Sequence, residues 1–130
     1  MKKILLYSVL IVLCSCSGVK RTQEALNTGN YETAIQKAVN NIAENKNKKS
    51  NQPYIAMLEE AFKKNAEREL QHIKFLKKDG NPANFEEVYN AYGRLRSIQQ
   101  RIRPLLPLQV FEENRTAQFN FRDYDGNLIT

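Results

Sequence analysis

Four arginines form the densest group of side chains that could hold a charged ligand. Arg94 and Arg101 are seven residues apart, as are Arg96 and Arg103, and since seven residues make about two turns of an α-helix, each pair shares a helix face. The guanidinium fork fits phosphate and carboxylate groups. The spacing predicts either a site for phosphate or for a partner's carboxylates, or salt bridges to a neighbouring Glu-rich helix.

Groups that could act in catalysis are few. His72 is the only histidine, and Glu69 and Arg68, one turn before it, are an ordinary mixture for a helix surface. Proton transfer needs a partner that is held in position beside the imidazole. The sequence therefore predicts an exposed histidine and a protein that is not an enzyme.

Acidic residues occur in two patterns that could do chemistry. Glu59 and Glu60 precede Lys63 and Lys64 by four positions, which is the spacing of ion pairs on a solvated helix face. The segment 123–127 has the oxygen-bearing side chains of a calcium loop, but its glycine comes fourth, whereas an EF-hand has it sixth. We expect surface ion pairs in the first case and a turn with no metal in the second.

The first residues have the layout of a secretory signal. Lys2 and Lys3 precede an apolar run from Ile4 to Leu13. A membrane-spanning helix needs about 20 apolar residues, so this shorter run favours export followed by cleavage. The sequence predicts a signal peptide over residues 1–15.

The segment Leu13-Cys14-Ser15-Cys16 resembles the lipobox of bacterial lipoproteins. That motif has an aliphatic residue three positions before the modified cysteine and a small residue directly before it, so Cys16 fits better than Cys14. The resemblance implies a diacylglycerol on the Cys16 sulfur and an acyl chain such as palmitate on its new N-terminus, which together anchor the protein permanently. The alternatives are a disulfide between Cys14 and Cys16, or two unmodified cysteines in a discarded signal.

The residues after Cys16 bear on location. By resemblance to lipoprotein sorting in double-membrane bacteria, Ser17 implies the outer membrane. Surface-exported lipoproteins of Bacteroidota carry an acidic cluster here, whereas the segment 17–21 is basic. We therefore expect an anchor in the leaflet that faces the periplasm.

Two short helical patterns occupy residues 19–42, separated by turn residues at 27–30. The segment from Ala25 to Ile35, with Gly29 in the turn and Tyr31 and Ala34 after it, resembles the inter-helix turn and second-helix start of a tetratricopeptide repeat. The match covers about half of a 34-residue unit. It implies packed helix hairpins, and a generic hairpin with the same turn is the alternative.

Two longer helical patterns run from Pro53 to Lys78 and from about Pro82 to Arg103. Their apolar faces are formed by Ile55, Leu58, Phe62, Ala66, Leu70, Ile73 and Leu76 in the first and by Phe85, Val88, Tyr89, Tyr92, Leu95 and Ile102 in the second. The short turn between them predicts antiparallel packing. The lysine-rich stretch 45–53 before them predicts a solvated loop, with a contact to anionic lipid headgroups as the alternative.

Near the end of the chain, the spacing of apolar residues changes from a helical period to alternation. Ala117, Phe119 and Phe121 alternate with polar residues, and Asp125-Gly126 is a strong hairpin turn. The expected fold is mainly α: a helix-hairpin, tetratricopeptide-like bundle with a C-terminal β-hairpin. We divide the chain into a signal peptide (1–15), a helical domain (16–106) and a β-hairpin or the start of a further domain (107–130).

Composition limits the function. The chain has 130 residues and a net charge of +6, which is one domain at most. We expect a membrane-anchored helical scaffold or adaptor for an envelope protein complex. Its partners are the membrane, through the lipid, and an envelope protein, without nucleic acid, small-molecule substrate, metal or cofactor. Beside the arginines, the candidate contact residues are Tyr31, Tyr54, Tyr89 and Tyr92, which are otherwise core residues.

Two other functions fit the same features. The chain could be the N-terminal anchor of a larger envelope enzyme or polysaccharide-handling protein, because it stops on a predicted returning strand. It could instead be a module that binds lipid or lipopolysaccharide through the arginines. In that second case, removing Arg94 and Arg101 would weaken lipid binding without changing helicity.

Overall fold

The computed structural model describes residues 17–128, and most of them are helical. The helices are α1 (17–27), α2 (Tyr31–Glu44), α3 (Gln52–Asp79), α4 (Phe85–Ile102) and α5 (Asp125–Leu128). Strands β1 (Gln109–Val110) and β2 (Arg115–Thr116) form an antiparallel pair, and 3-10 turns span Lys49–Asn51, Pro82–Asn84 and Arg103–Leu105. The expected mainly helical fold with a C-terminal β-hairpin is confirmed.

The first two helices form the hairpin that the turn residues predict. Gly29 ends α1 with φ +79, a backbone conformation that costs glycine little and other residues more. The Asn30 amide donates to the Ala25 carbonyl at 2.8 Å, which closes the turn. Across the turn, the Arg68 guanidinium of α3 donates to the Gly29 carbonyl at 2.6 Å, so the hairpin is fixed against the third helix.

The larger of two hydrophobic cores lies where α1, α2, the first half of α3, the end of α4 and the β-hairpin meet. We call this part of the molecule the base. Its fully buried side chains include Ile35, Ile42, Ile55, Leu58 and Ile102. Leu108 and Val110, next to and within β1, are buried in the same core, so the hairpin packs as part of the base.

The smaller core lies between the second half of α3 and the first half of α4, which we call the arm. The two helices run antiparallel as expected, because Glu69 pairs with Arg94 while the Leu76 carbonyl accepts from Asn84. Gly80 ends α3 with φ +69, and the arm core consists of a short set of buried residues: Ile73, Val88, Ala91, Leu95 and Tyr124. Tyr124 comes from the C-terminal segment and closes this core.

The β-hairpin lies earlier in the chain than the period-two pattern predicts. Gln109 pairs with Thr116, and the turn between the strands includes Asn114 at φ 49. Residues 117–124 after β2 belong to no helix or strand of the described part of the chain, and Asp125 begins the short helix α5 instead of a second hairpin. The prediction of strands over 117–121 and a turn at Asp125-Gly126 is therefore wrong.

The alternation in this segment has another cause. The rings of Phe119 and Phe121 pack edge-on against the ring of Phe62 in α3, with centroids 5.5 and 5.6 Å away. An extended chain that lies on a helix buries every second side chain, as a strand does. The pattern thus indicates one buried side, and it does not identify what covers that side.

Candidate functional site

Cys14 and Cys16, the two candidates for lipid attachment, lie outside the described residues. The described chain begins with Ser17, which is already in the first turn of α1. A Cβ at Gly18 would lie 2.5 Å from the Tyr54 hydroxyl oxygen in the first turn of α3. The residues next to Cys16 are therefore packed directly on the base.

Arg94 is held by carboxylates from the neighbouring helices. Its guanidinium lies 3.2 Å from Glu69 of α3, 2.8 Å from Glu87 of its own helix and 4.0 Å from Glu32 of α2. The hydrogen bonds with Glu69 and Glu87 raise the pKa of Arg94. Its donors are used within the molecule, which matches the salt-bridge alternative for this residue.

The other arginines of the group have separate surroundings. Arg96 pairs with Asp125 at 2.8 Å, and Arg103 lies 5.4 Å above the ring of Phe121. Both line a cleft of about 340 Å³ between α4 and the C-terminal segment. Arg101 is exposed and has no ion pair within residues 17–128.

The predicted ion pairs of α3 are half correct. Glu60 pairs with Lys64 at 2.8 Å. Glu59 does not pair with Lys63. Its carboxylate accepts hydrogen bonds from both terminal nitrogens of the Arg115 guanidinium at 2.7 Å and from the Gln118 amide at 2.6 Å. A spacing of four residues identifies a helical neighbour, but the long-range arginine offers a bidentate geometry that a lysine lacks.

Glu59 and Arg115 lie at one end of a cleft of about 610 Å³ between α3 and residues 115–124. The hydrogen bond from Arg115 lowers the pKa of Glu59, and the same contact raises the pKa of Arg115. Both groups are therefore charged at neutral pH. They hold β2 against α3, and neither is poised to exchange a proton.

His72 is half-exposed, as the sequence predicts. Its Nε2 lies 3.7 Å from Glu87, whose pKa is lowered first by the hydrogen bond from Arg94. Within residues 17–128, no group of three or more histidine, cysteine, aspartate or glutamate side chains could hold a metal ion. Residues 123–127 lead into α5, which begins at Asp125, and the Asp125 amide donates to the Asp123 carboxylate.

The candidate tyrosines differ in what they contact. Tyr54 is buried, which raises its pKa, and Tyr31 lies under the Arg68 guanidinium at 4.4 Å. Tyr92 is half-buried between the Lys77 ammonium, which donates to its hydroxyl at 3.1 Å, and the ring of Tyr124 at 6.0 Å. Tyr89 is 52% exposed, and it is the tyrosine of the four that offers most of its ring to a partner.

Two exposed phenylalanines of the arm, Phe85 and Phe75, are not among the contact candidates that the sequence offers. The sequence pattern assigns Phe85 to the apolar face of its helix, but it is 68% exposed, because it lies on the side of α4 that carries Tyr89, whereas Val88 and Leu95 face the arm core. Phe75 is 70% exposed. The signal for Phe75 is its absence from the i, i+3, i+4 series that contains Ile73 and Leu76.

Along α4 the aromatic and cationic residues form one surface. Phe85, Tyr89, Tyr92 and Arg96 follow one another at steps of four, three and four residues, so they lie on one side of the helix. We call this surface the α4 stripe. Aromatic residues and arginine are the types that contribute most to protein interfaces.

Comparisons with known proteins leave the family open: no family model matches the chain, and neither the curated proteins nor the solved structures contain a match. No helix within residues 17–128 is both long enough and apolar enough to cross a membrane.

Proposed function

We propose that this protein is a lipid-anchored helical adaptor that binds an envelope protein through the α4 stripe. In this proposal Cys16 carries the lipid, the base is a rigid support, and the arm is the part that reaches the partner. The observation that carries the proposal is the exposure of Phe85 and Tyr89 on an arm whose own core does not use them.

The stripe has the composition of a protein contact. Phe85 and Tyr89 are adjacent one turn apart, Tyr92 follows on the same side, and Arg96 adds a guanidinium that is 46% exposed while it pairs with Asp125. Side chains at intervals of three and four residues suit a partner helix that lies along α4. Arg96 would then favour a partner segment with a carboxylate at its edge.

The shape of the molecule separates the proposed anchor from the proposed contact. Helix α3 has 28 residues, which at 1.5 Å per residue corresponds to about 42 Å. Its first turn touches Gly18, two residues after Cys16, and its last turn lies in the arm. The lipid would fix one end of the molecule at the membrane, while the stripe would face the space beyond it. Confinement to a membrane plane raises the effective concentration of a partner in the same envelope.

The anchor is tested by replacing each cysteine in cells grown with labelled palmitate. We expect Cys16→Ser to lose the label and to leave the detergent phase, because the lipobox resemblance assigns the acyl groups to that residue. Cys14→Ser is the matched control and keeps both properties. Loss of label in Cys14→Ser with retention in Cys16→Ser would contradict the assignment.

The contact is tested by photocrosslinking in intact cells. A benzoylphenylalanine at position 89 should crosslink a defined envelope protein, whereas the same group at the exposed position of Gln36 on α2 should not. Phe85→Ala should weaken capture at least about tenfold, as truncation of an aromatic contact residue does. Phe75→Ala removes an equally exposed phenylalanine outside the stripe and should leave capture unchanged. Equal effects of the two substitutions, or no crosslinked protein, would overturn the proposed contact.

A further inference from the structure

Residues from four parts of the chain meet around the start of α1. Lys46 of the loop 45–48 donates to the carbonyls of Leu105 and Pro107 at 3.4 and 3.3 Å. The buried Asn51 donates to carbonyls at the end of α2, at 3.1 and 2.8 Å. The Gln52 side chain donates to the Gln109 carbonyl and accepts from the Phe111 backbone amide, each at 2.9 Å. These bonds hold the loop 45–51, the segment 105–107 and the turn 111–114 at one end of the base, which we call the anchor end. The start of α1 belongs to it because Gly18 packs on Tyr54 and Lys20 lies beside Ser50.

The anchor end is basic. Lys20, Lys48 and Lys49 are exposed, and none of them has an ion pair within the part of the chain that the structure describes. Lys20 lines a shallow apolar cleft together with Ser50 and Pro53, which places it beside the lysine-rich loop. The acidic residues here are fewer than the basic ones: Glu24 lines the same cleft as Lys20, Glu112 is exposed in the opposing turn, and Glu113 in that turn is paired with Arg115.

An exposed aromatic ring accompanies these lysines. Phe111, in the turn between β1 and β2, is 52% exposed, although its amide is fixed by Gln52. Lysines beside an exposed aromatic side chain are typical of surfaces that rest on a bilayer, where the cations meet headgroup phosphates and the ring enters the interface.

The geometry points to a specific use of this surface: we propose that the anchor end binds the anionic surface of the bilayer that holds the lipid, and so fixes the arm pointing away from it. This inference rests on the proposed anchor at Cys16. Ser17 is already helical and Gly18 is packed on Tyr54, so no spacer separates the acyl chains from the folded domain. Lys20, Lys48 and Lys49 would then lie within the short range over which a charged membrane surface attracts cations.

Amide hydrogen exchange of the acylated protein in vesicles tests the proposal. One set of vesicles contains phosphatidylcholine alone, and the other contains phosphatidylcholine mixed with phosphatidylglycerol. We expect amides of residues 45–51 and 111–114 to exchange at least about fivefold more slowly in the anionic vesicles, which is the effect of roughly one lysine at such a surface. The turn 80–84 at the far end of the arm should not change, and high salt should remove the difference.

Charge-matched variants locate the effect. Lys48→Gln combined with Lys49→Gln should abolish the slowing, whereas Lys74→Gln combined with Lys78→Gln removes the same charge from exposed positions of the arm and should preserve it. Equal exchange in both vesicles, or slowing that the arm variant abolishes, would overturn the proposal while leaving the anchor intact. The mass of the N-terminal peptide separates the two hypotheses: an unmodified Cys16 overturns both, and an acylated Cys16 with no anionic effect overturns this one alone.

Discussion

The base and the arm use the same two long helices in different ways. In the base, α3 is covered by α1 and α2 and by the C-terminal segment, so that Leu58 and Ile55 are fully buried. In the arm, the core formed by α3 is closed mainly by α4 and Tyr124 within residues 17–128. The arm consequently exposes large apolar side chains, Phe75 and Phe85 among them, on helices that are continuous with the base.

Under the proposed function, the base provides the stability of the fold and the arm provides the contact surface. Burial of apolar area stabilises the fold in proportion to the area removed from water, and the base buries most of it. The arm is positioned by ion pairs around Arg94. It is also positioned by two hydrogen bonds between the Gln99 side chain and the Arg122 backbone, in which Gln99 donates at 2.7 Å and accepts at 2.9 Å. Its outer surface is therefore free to contact a partner without loss of core packing.

The largest effect is expected from truncation in the base. Leu58→Ala removes a side chain with no exposed area and should lower the free energy of unfolding by about 3 to 4 kcal/mol, as Leu→Ala changes in cores do. Urea denaturation measures this loss. Phe75→Ala in the arm, a larger truncation at an exposed site, should cost less than about 0.5 kcal/mol. Similar losses for both would contradict the division into a packed base and a lightly packed arm.

Truncation in the arm core should have a smaller and more local effect. Ile73→Ala is expected to cost about 2 kcal/mol, because a two-helix core can partly collapse around the gap. Hydrogen exchange should accelerate in the second half of α3 and the first half of α4, while the amides around Leu58 keep their protection. Uniform acceleration across both regions would mean that arm and base unfold as one unit.

The Glu59–Arg115 pair should contribute more than the ion pairs of the arm. Glu59→Gln should cost about 1 to 2 kcal/mol at pH 7, since charge-assisted hydrogen bonds to two groups are weakened. Glu87→Gln in the arm should lower the free energy of unfolding by only about 0.3 kcal/mol, because the Glu87 side chain is 43% exposed and its charge is screened by solvent.

Acidification should remove the stability difference between the wild type and Glu59→Gln. The pKa of Glu59 is lowered in the fold from its ordinary value of 4.5, so the carboxylate stabilises the folded state fully above that value. The contribution is lost as the pH falls through the lowered pKa. Denaturation curves of the wild type and Glu59→Gln should therefore converge at acidic pH. A gap that widens on acidification would contradict the ion-pair interpretation.

Two glycines of the arm should respond in opposite directions, each by about 1 kcal/mol or less. Gly80→Ala places a side chain at φ +69 and should destabilise by about 0.5 to 1 kcal/mol despite open space around it. Gly93→Ala lies inside α4, where a Cβ meets no other atom within 4 Å, and should stabilise by about 0.5 kcal/mol. Thermal melts check both signs, and the same sign for both would contradict the backbone argument.

Much of the fold could be predicted from the sequence, but less of the candidate site. The helix period and the turn residues near Gly29 and Gly80 were sufficient to predict four helices and their order. The assignment of Phe85 to a buried face is wrong because apolar residues on neighbouring sides of α4 follow similar spacings, and only the packing shows that Val88 and Leu95 face the arm core while Phe85 stays exposed. The predicted ion pair of Glu59 with Lys63 is wrong because its actual partner, Arg115, lies 56 residues further along the chain, beyond the reach of a local pattern.

The sequence by itself determined the local structure of α1 to α4, namely which segments are helical and where Gly29 and Gly80 end two of them. These features depend on neighbours within a few residues, so a short stretch of sequence is enough to predict them. Only the tertiary structure decided that α1 packs directly on the base, that residues 117–121 lie on Phe62, and that Phe85 and Tyr89 stay exposed. Such outcomes depend on which distant surfaces cover one another, and burial is a property of the whole packed chain.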